Sequence, residues 1–162
     1  WLQAATQQPT RDITLYLNFQ LQARQPHINA LRQRLWAHFS DRPWATVEKP
    51  QKGNFTHYYS QLGRSKFVLS PPGYGWDCYR TYEAIAMGAI PIVQRNTPLT
   101  DVCEDLPVLL VDSWNEVTPE RLQREWKRRS TKPLPTLTMS YWRDRIQRAA
   151  KTSVSQLQME GA

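Results

Sequence analysis

Apolar and polar positions alternate early in the chain. Ile13, Leu15, Leu17 and Phe19 interleave with Thr14, Tyr16 and Asn18, the period of two that predicts a strand over Ile13–Phe19. The period then changes. From Pro26 onward, Ile28, Leu31, Leu35, Trp36 and Phe39 recur at helical spacing and fall on one face. Ala45–Glu48 predicts a short strand. Asn54–Leu62 predicts a helix with Asn54 as N-cap and Gly63 as its stop. Phe67-Val68-Leu69 is a short apolar run, consistent with a strand covered on both faces. The segment 70–77, Ser-Pro-Pro-Gly-Tyr-Gly-Trp-Asp, is forced into a loop by its Pro and Gly residues. Asp77 stands where it would cap a helix from Cys78 to Met87 that ends at Gly88.

The same alternation of periods continues to the C-terminus. Ile90–Val93 and Val108–Val111 predict two more strands, with a short helix or turn over Thr100–Leu106 between them. Thr118-Pro119-Glu120 opens a helix with a capping hydroxyl, a proline in the first turn and an acid at the positive dipole end. Leu122 and Trp126 share its inner face. Lys132-Pro133-Leu134-Pro135 breaks the pattern, and Met139, Trp142, Ile146, Ala149, Ala150 and Leu157 then form one stripe on a last helix. Residues 1–12 read as a loose lead-in, and the chain has no internal repeat.

Strands alternating with helices predict crossover units. The expected fold class is therefore α/β: a Rossmann-like, doubly wound parallel sheet of about five strands in the order 2-1-3-4-5. In that order the winding reverses between the first and third strands, and ligands bind outside the strand C-termini at the reversal. Topology alone brings the 70–77 loop there. The loop also leads into a helix N-terminus, whose free N–H groups favour an anion.

Composition narrows the picture without changing it. The 162 residues fit one domain, 1–162, with the C-terminal helix over 137–158. With 40% hydrophobic and 22% charged residues the chain is globular rather than disordered. Two cysteines, Cys78 and Cys103, exclude a disulfide framework. No apolar run of about 18 residues predicts a membrane span. A first residue of Trp rather than Met points to a processed or excised product. The net charge of +7 is unevenly spread: Arg121–Lys151 holds ten basic and two acidic residues, while the rest of the chain holds 11 basic and 12 acidic. The basic surplus fits the polar face of two surface helices, or a docking surface for a partner domain, an anionic polymer or an anionic membrane.

The chemistry-bearing residues cluster between Phe67 and Val93. Gly73 and Gly75 would let the backbone approach a ligand closely. Arg80, in the first helical turn, can fork toward a phosphate at the helix end. Glu83 follows one turn later, where its carboxylate could accept two ribose hydroxyls. The alternative is a simple i, i+3 bridge between Arg80 and Glu83. Tyr74 and Trp76 flank the glycines and would either stack on a base or sugar or pack at the core edge. Asn18 and Gln20 end the first strand and face the same crevice. His27, His38 and His57 have no metal-ligand spacing. His57-Tyr58-Tyr59 reads as helix packing or as a base, and Cys78 as a small unreactive residue. Asn54-Phe55-Thr56 fits the N-glycosylation pattern, which matters only in a secretory compartment.

Ser70-Pro71-Pro72-Gly73, Asp77, Arg80, Glu83-Ala84, Gly88, Ile90-Pro91 and Val93 follow one another at fixed offsets over about 30 residues. This block resembles the C-terminal domain of GT-B glycosyltransferases, most closely the exostosin-like branch. The resemblance implies a nucleotide-sugar donor, a UDP-sugar in the first instance, with Arg80 near the diphosphate and Glu83 near the ribose. It implies no metal and no tightly bound cofactor, in keeping with the lack of an Asp-x-Asp triplet. It implies a glycan acceptor and an N-terminal GT-B domain outside this chain, and makes nucleic acid an improbable partner. Many relatives carry an acid eight positions before the ribose-binding Glu, where this chain has Gly75. Asp77 is the nearest acid, to be read as helix cap or catalytic base. The expected function is thus donor binding for glycosyl transfer, in the cytoplasm of a prokaryote or the Golgi lumen of a eukaryote. In that reading the chain would supply only half of the catalytic unit. The alternative is a non-enzymatic module gripping RNA or acidic glycan through its basic C-terminal helices.

Overall fold

The computed structural model describes residues 10–75, 78–95, 100–103, 106–129, 139–141 and 143–148. The chain divides into two compact units, Trp1–Thr131 and Lys132–Ala162.

The first unit runs β1 (Ile13–Leu17), α1 (Pro26–Ser40), β2 (Ala45–Val47), α2 (Phe55–Arg64), β3 (Ser65–Leu69), α3 (Tyr79–Ala86), β4 (Ile90–Gln94), α4 (Thr100–Cys103), β5 (Leu109–Val111) and α5 (Pro119–Arg129). The five strands form one sheet in the order β2-β1-β3-β4-β5, and every neighbouring pair is parallel. This is the doubly wound, Rossmann-like α/β sheet that the sequence predicts.

Side-chain alternation explains why the sheet needs helices on both faces. Leu15 pairs with Phe67, Phe67 with Ile90, and Ile92 with Leu109. These residues point to one face, where they join Leu35 and Phe39 of α1 and Leu122 of α5. Phe67 meets Trp126 edge-on at 6.1 Å between ring centroids. On the other face Tyr16 and Val68 pack with Leu62 of α2 and Ala84 of α3. The buried strand residues thus find apolar cover on their own side, and that burial is the main stabilising contribution.

The helix starts are locally encoded. Asn54 caps α2, its Oδ1 accepting the His57 N–H at 3.2 Å. Thr118 Oγ1 accepts the Arg121 N–H at 3.3 Å at the start of α5. Two expectations need correction. Gly63 does not stop α2, which continues to Arg64 and passes into β3 within one residue. Gly63 is buried against the sheet, and only Gly53 and Gly88 take positive φ among the described residues. The turn is made instead by Ser65 in extended conformation, its N–H bonding Leu62 O and its Oγ bonding Gln61 O at 2.6 Å. The N-cap of α3 is Cys78, not Asp77, and Cys78 makes no side-chain capping bond. Asp77 itself lies outside the described residues, as does Trp76.

In the second unit, 139–141 and 143–148 are helical, with Met139 and Ile146 exposed. Trp142, Ala149, Ala150 and Leu157 of the expected stripe lie outside the described residues. No described helix is long and apolar enough to cross a membrane.

Gly88 ends α3 with φ +75°, a conformation that costs a residue with a Cβ about 1–2 kcal/mol. A Cβ there would also lie 2.5 Å from Arg11 Nη2. That guanidinium ties Ser65 O (2.7 Å) to Met87 O (2.9 Å). Gly88→Ala should therefore destabilise the chain by about 2–3 kcal/mol, the strain plus a lost charged hydrogen bond. A urea midpoint equal to wild type would contradict this.

Candidate functional site

The reversal in sheet order decides where the loops go. From the C-terminal end of β1 the chain passes to α1 on one face; from the end of β3 it passes to α3 on the other. Between the two exits, and beside the loop after β2, lies a cavity of about 210 Å³. Its walls include Asn18 and Gln20 after β1, Glu48 after β2, Tyr58 of α2, and Arg80 and Glu83 of α3.

Arg80 and Glu83 form no ion pair with each other. Arg80 turns toward β1: its Nε donates to Asn18 O at 2.9 Å and its guanidinium lies 5.6 Å from the Phe19 ring centroid. Its Nη1 also reaches Cys78 Sγ at 3.4 Å. Glu83 turns toward α2 and accepts the Tyr58 hydroxyl at 2.8 Å and the Tyr59 hydroxyl at 3.3 Å. One turn of α3 therefore presents a cation and a carboxylate to one cavity without mutual neutralisation.

Behind this lies a second polar chain. The fully buried Tyr16 donates its hydroxyl to Glu48 Oε2 at 2.9 Å and accepts from Asn18 Nδ2 at 2.8 Å. His57 Nε2 contacts the same Glu48 oxygen at 2.9 Å. These side chains come from β1, the end of β2 and α2, so the network locks those elements together at the cavity floor. Burial pushes the Tyr16 phenol well above its ordinary value, and its bond to Glu48 adds to the shift. Burial does the same to Tyr58, opposed by the Arg80 charge and reinforced by Glu83.

The loop after β3 is anchored at its start by Ser70, whose N–H bonds Ile92 O at 3.0 Å and whose Oγ meets Thr81 Oγ1 at 2.9 Å. Gly73 has a different neighbour from the one its sequence context implies. A Cβ at Gly73 would sit 3.1 Å from Arg32 Nη2, so the missing side chain makes room for a guanidinium of this protein. Arg32 is buried at 6% exposure. Its Nε donates to Pro72 O at 3.0 Å, its Nη1 to Gln20 O at 2.8 Å, and it lies 5.9 Å from the Phe19 ring centroid. Burial lowers its pKa, and the Arg80 charge lowers it further. Neither Arg32 nor Arg80 has a carboxylate partner among the described residues.

Of the residues singled out from sequence, Asn18, Gln20, Arg80 and Glu83 meet around one cavity. Gly73, Tyr74 and Gly75 do not line it; Tyr74 is 76% exposed, its carbonyl accepting from Gln25 Nε2 at 3.3 Å. Asp77 and Trp76 are outside the described residues. Sequence reading missed Arg32, Glu48 and the Tyr58–Glu83 contact. Arg32 had a signal: it continues the buried stripe Ile28, Leu35, Phe39 of α1, where a charge is out of place. The described residues contain no group of three or more His, Cys, Asp or Glu side chains that could hold a metal.

The class of this α/β domain is exostosin-related, as its family match shows. Residues 28–134 match the family described as RXYLT1 C-terminal domain, and the chain belongs to that family. No curated protein matches the chain.

The raised phenols have a pH consequence. A phenol held protonated in the fold and freed on unfolding contributes stability fully below its ordinary value of 10.0; that stability declines as pH rises above it toward the raised value. Tyr16 and Tyr58 should therefore ionise only together with unfolding. An alkaline titration followed by tyrosinate absorbance and by circular dichroism should show this late, cooperative step. Ionisation of all seven tyrosines before any loss of structure would contradict it.

Proposed function

We propose that this chain is the donor-binding domain of a GT-B glycosyltransferase and takes a nucleotide-diphosphate sugar, in the first instance a UDP-sugar, in the cavity at the sheet reversal. The observation that supports this best is the pairing of Arg80 and Glu83 on one wall of that cavity, unneutralised by each other. A guanidinium and a carboxylate one helical turn apart suit a diphosphate followed by a ribose. Glu83 already accepts two hydroxyl groups, from Tyr58 and Tyr59, and a ribose diol offers the same donors. The family membership points the same way.

The chemistry follows from charge. Glycosyl transfer breaks the bond between the sugar and the diphosphate and leaves negative charge on the departing phosphate. Arg80 stabilises that charge in a site partly screened from water, where a fixed cation counts for more than in bulk solvent. The N-terminal end of α3 adds its dipole. The acceptor in this reading is a glycan, and an N-terminal domain outside this chain closes the cleft over the donor.

Calorimetric titration with UDP and GDP tests the reading. Arg80→Ala should weaken UDP by roughly tenfold to a hundredfold, the value of a hydrogen bond to a charged group. Glu83→Gln should weaken UDP more than inorganic pyrophosphate. Equal weak binding by wild type and Arg80→Ala would sink the proposal, and equal losses of UDP and pyrophosphate in Glu83→Gln would remove the ribose role.

A further inference from the structure

Arg32 sits where an apolar side chain is expected. It lies on the inner stripe of α1 between Ile28 and Leu35, at 6% exposure. A guanidinium is seldom buried unless something offsets the loss of water. Here the offset comes from two backbone carbonyls and the face of Phe19, with no carboxylate among the described residues. Arg80 approaches the same ring and is likewise without a carboxylate among them. Two like charges gathered at one ring repel each other, and an anion carrying more than one negative charge removes that repulsion.

The carbonyls that Arg32 holds belong to the two loops flanking the sheet reversal. Gln20 leaves β1 and lines the cavity; Pro72 is the centre of the Pro-Pro-Gly loop after β3. One side chain on α1 therefore ties the exits of the two strands between which a ligand would enter. Gly73 leaves open the space beside its Nη2.

We propose that Arg32 is a positioning residue for the diphosphate of the donor: from behind the Ser70–Gly75 loop it fixes that loop to the end of β1 and adds a second positive charge to the one on Arg80. This rests on the nucleotide-sugar reading for the identity of the ligand, but its anion requirement stands separately. The favoured ligand class is a diphosphate rather than a neutral nucleoside.

The test titrates the full chain with three probes: UDP, uridine and inorganic pyrophosphate. Arg32→Met should weaken UDP and pyrophosphate by roughly tenfold, the effect of removing one partly screened charge, and change uridine by less than about threefold. Arg32→Lys, which keeps the charge but loses the fork, should recover part of the diphosphate affinity. A merely structural arginine would cost UDP and uridine alike, and that result, or unchanged UDP binding, overturns the proposal. If circular dichroism shows Arg32→Met unfolded, Gly73→Ala carries the test. Its Cβ crowds the pinned Nη2 at 3.1 Å, so pyrophosphate should bind more weakly while the fold persists. Unchanged pyrophosphate binding there overturns the proposal too. Failure of the nucleotide reading looks different: wild type would then bind UDP no tighter than pyrophosphate and would not bind uridine. In that case a pyrophosphate loss in Arg32→Met still supports the role of Arg32, and its absence overturns it. A wild-type chain that binds none of the three overturns both.

Discussion

The position of β1 between β2 and β3 governs this molecule. Parallel strands need right-handed crossovers, so a sheet that grows in both directions from β1 must send its helices to opposite faces. The chain leaves β1 toward α1 and leaves β3 toward α3, and a cavity lies between the two exits. The cavity is the consequence of that divergence, not of any special cavity-forming residue. Asn18 and Glu48 reach it from just beyond the C-terminal ends of β1 and β2, and Arg80 and Glu83 reach it from the first two turns of α3.

Charge is distributed around that space in an unusual way. The carboxylate of Glu83 is held by two hydroxyls, while the two guanidiniums of Arg32 and Arg80 rest on carbonyls and one phenyl ring. Salt bridges elsewhere in the domain, such as Arg64–Asp12 and Arg95–Asp112, lie on the surface and contribute little to stability. The buried Arg32 is therefore the costly cation, with the half-buried Arg80 beside it. Two cations kept near each other at a strand-end crevice, with no ion pair to a carboxylate among the described residues, suit an anion that arrives from outside. In the proposed function that anion is the diphosphate of a nucleotide sugar, consistent with membership of the RXYLT1 C-terminal domain family.

The strand order was legible because hydrophobic period reports local structure and crossover handedness then restricts topology. Helix caps at Asn54 and Thr118 were legible for the same local reason. Gly63 misled because a buried glycine in close helix–sheet packing looks, in sequence, like a C-terminal stop. Asp77 misled because a good capping residue next to the cap position cannot be told from one at it; Cys78 holds the position. The contacts that shape the site were hidden. Tyr58 meets Glu83 across 25 residues and Arg32 meets Pro72 across 40, and no periodicity reports such pairings. Arg32 was the exception in principle, since a charge on an apolar helical stripe is visible in the amino-acid sequence itself.

The basic C-terminal stretch and the neutral body invite opposite expectations about where an anionic ligand goes. Backbone amide chemical shifts followed during a UDP titration separate them most directly. Binding at the sheet reversal predicts the largest shifts at Asn18, Gln20, Tyr58, Arg80 and Glu83, with little change over Arg143–Arg148. Shifts concentrated in that basic stretch, or none at the reversal, would contradict the central claim.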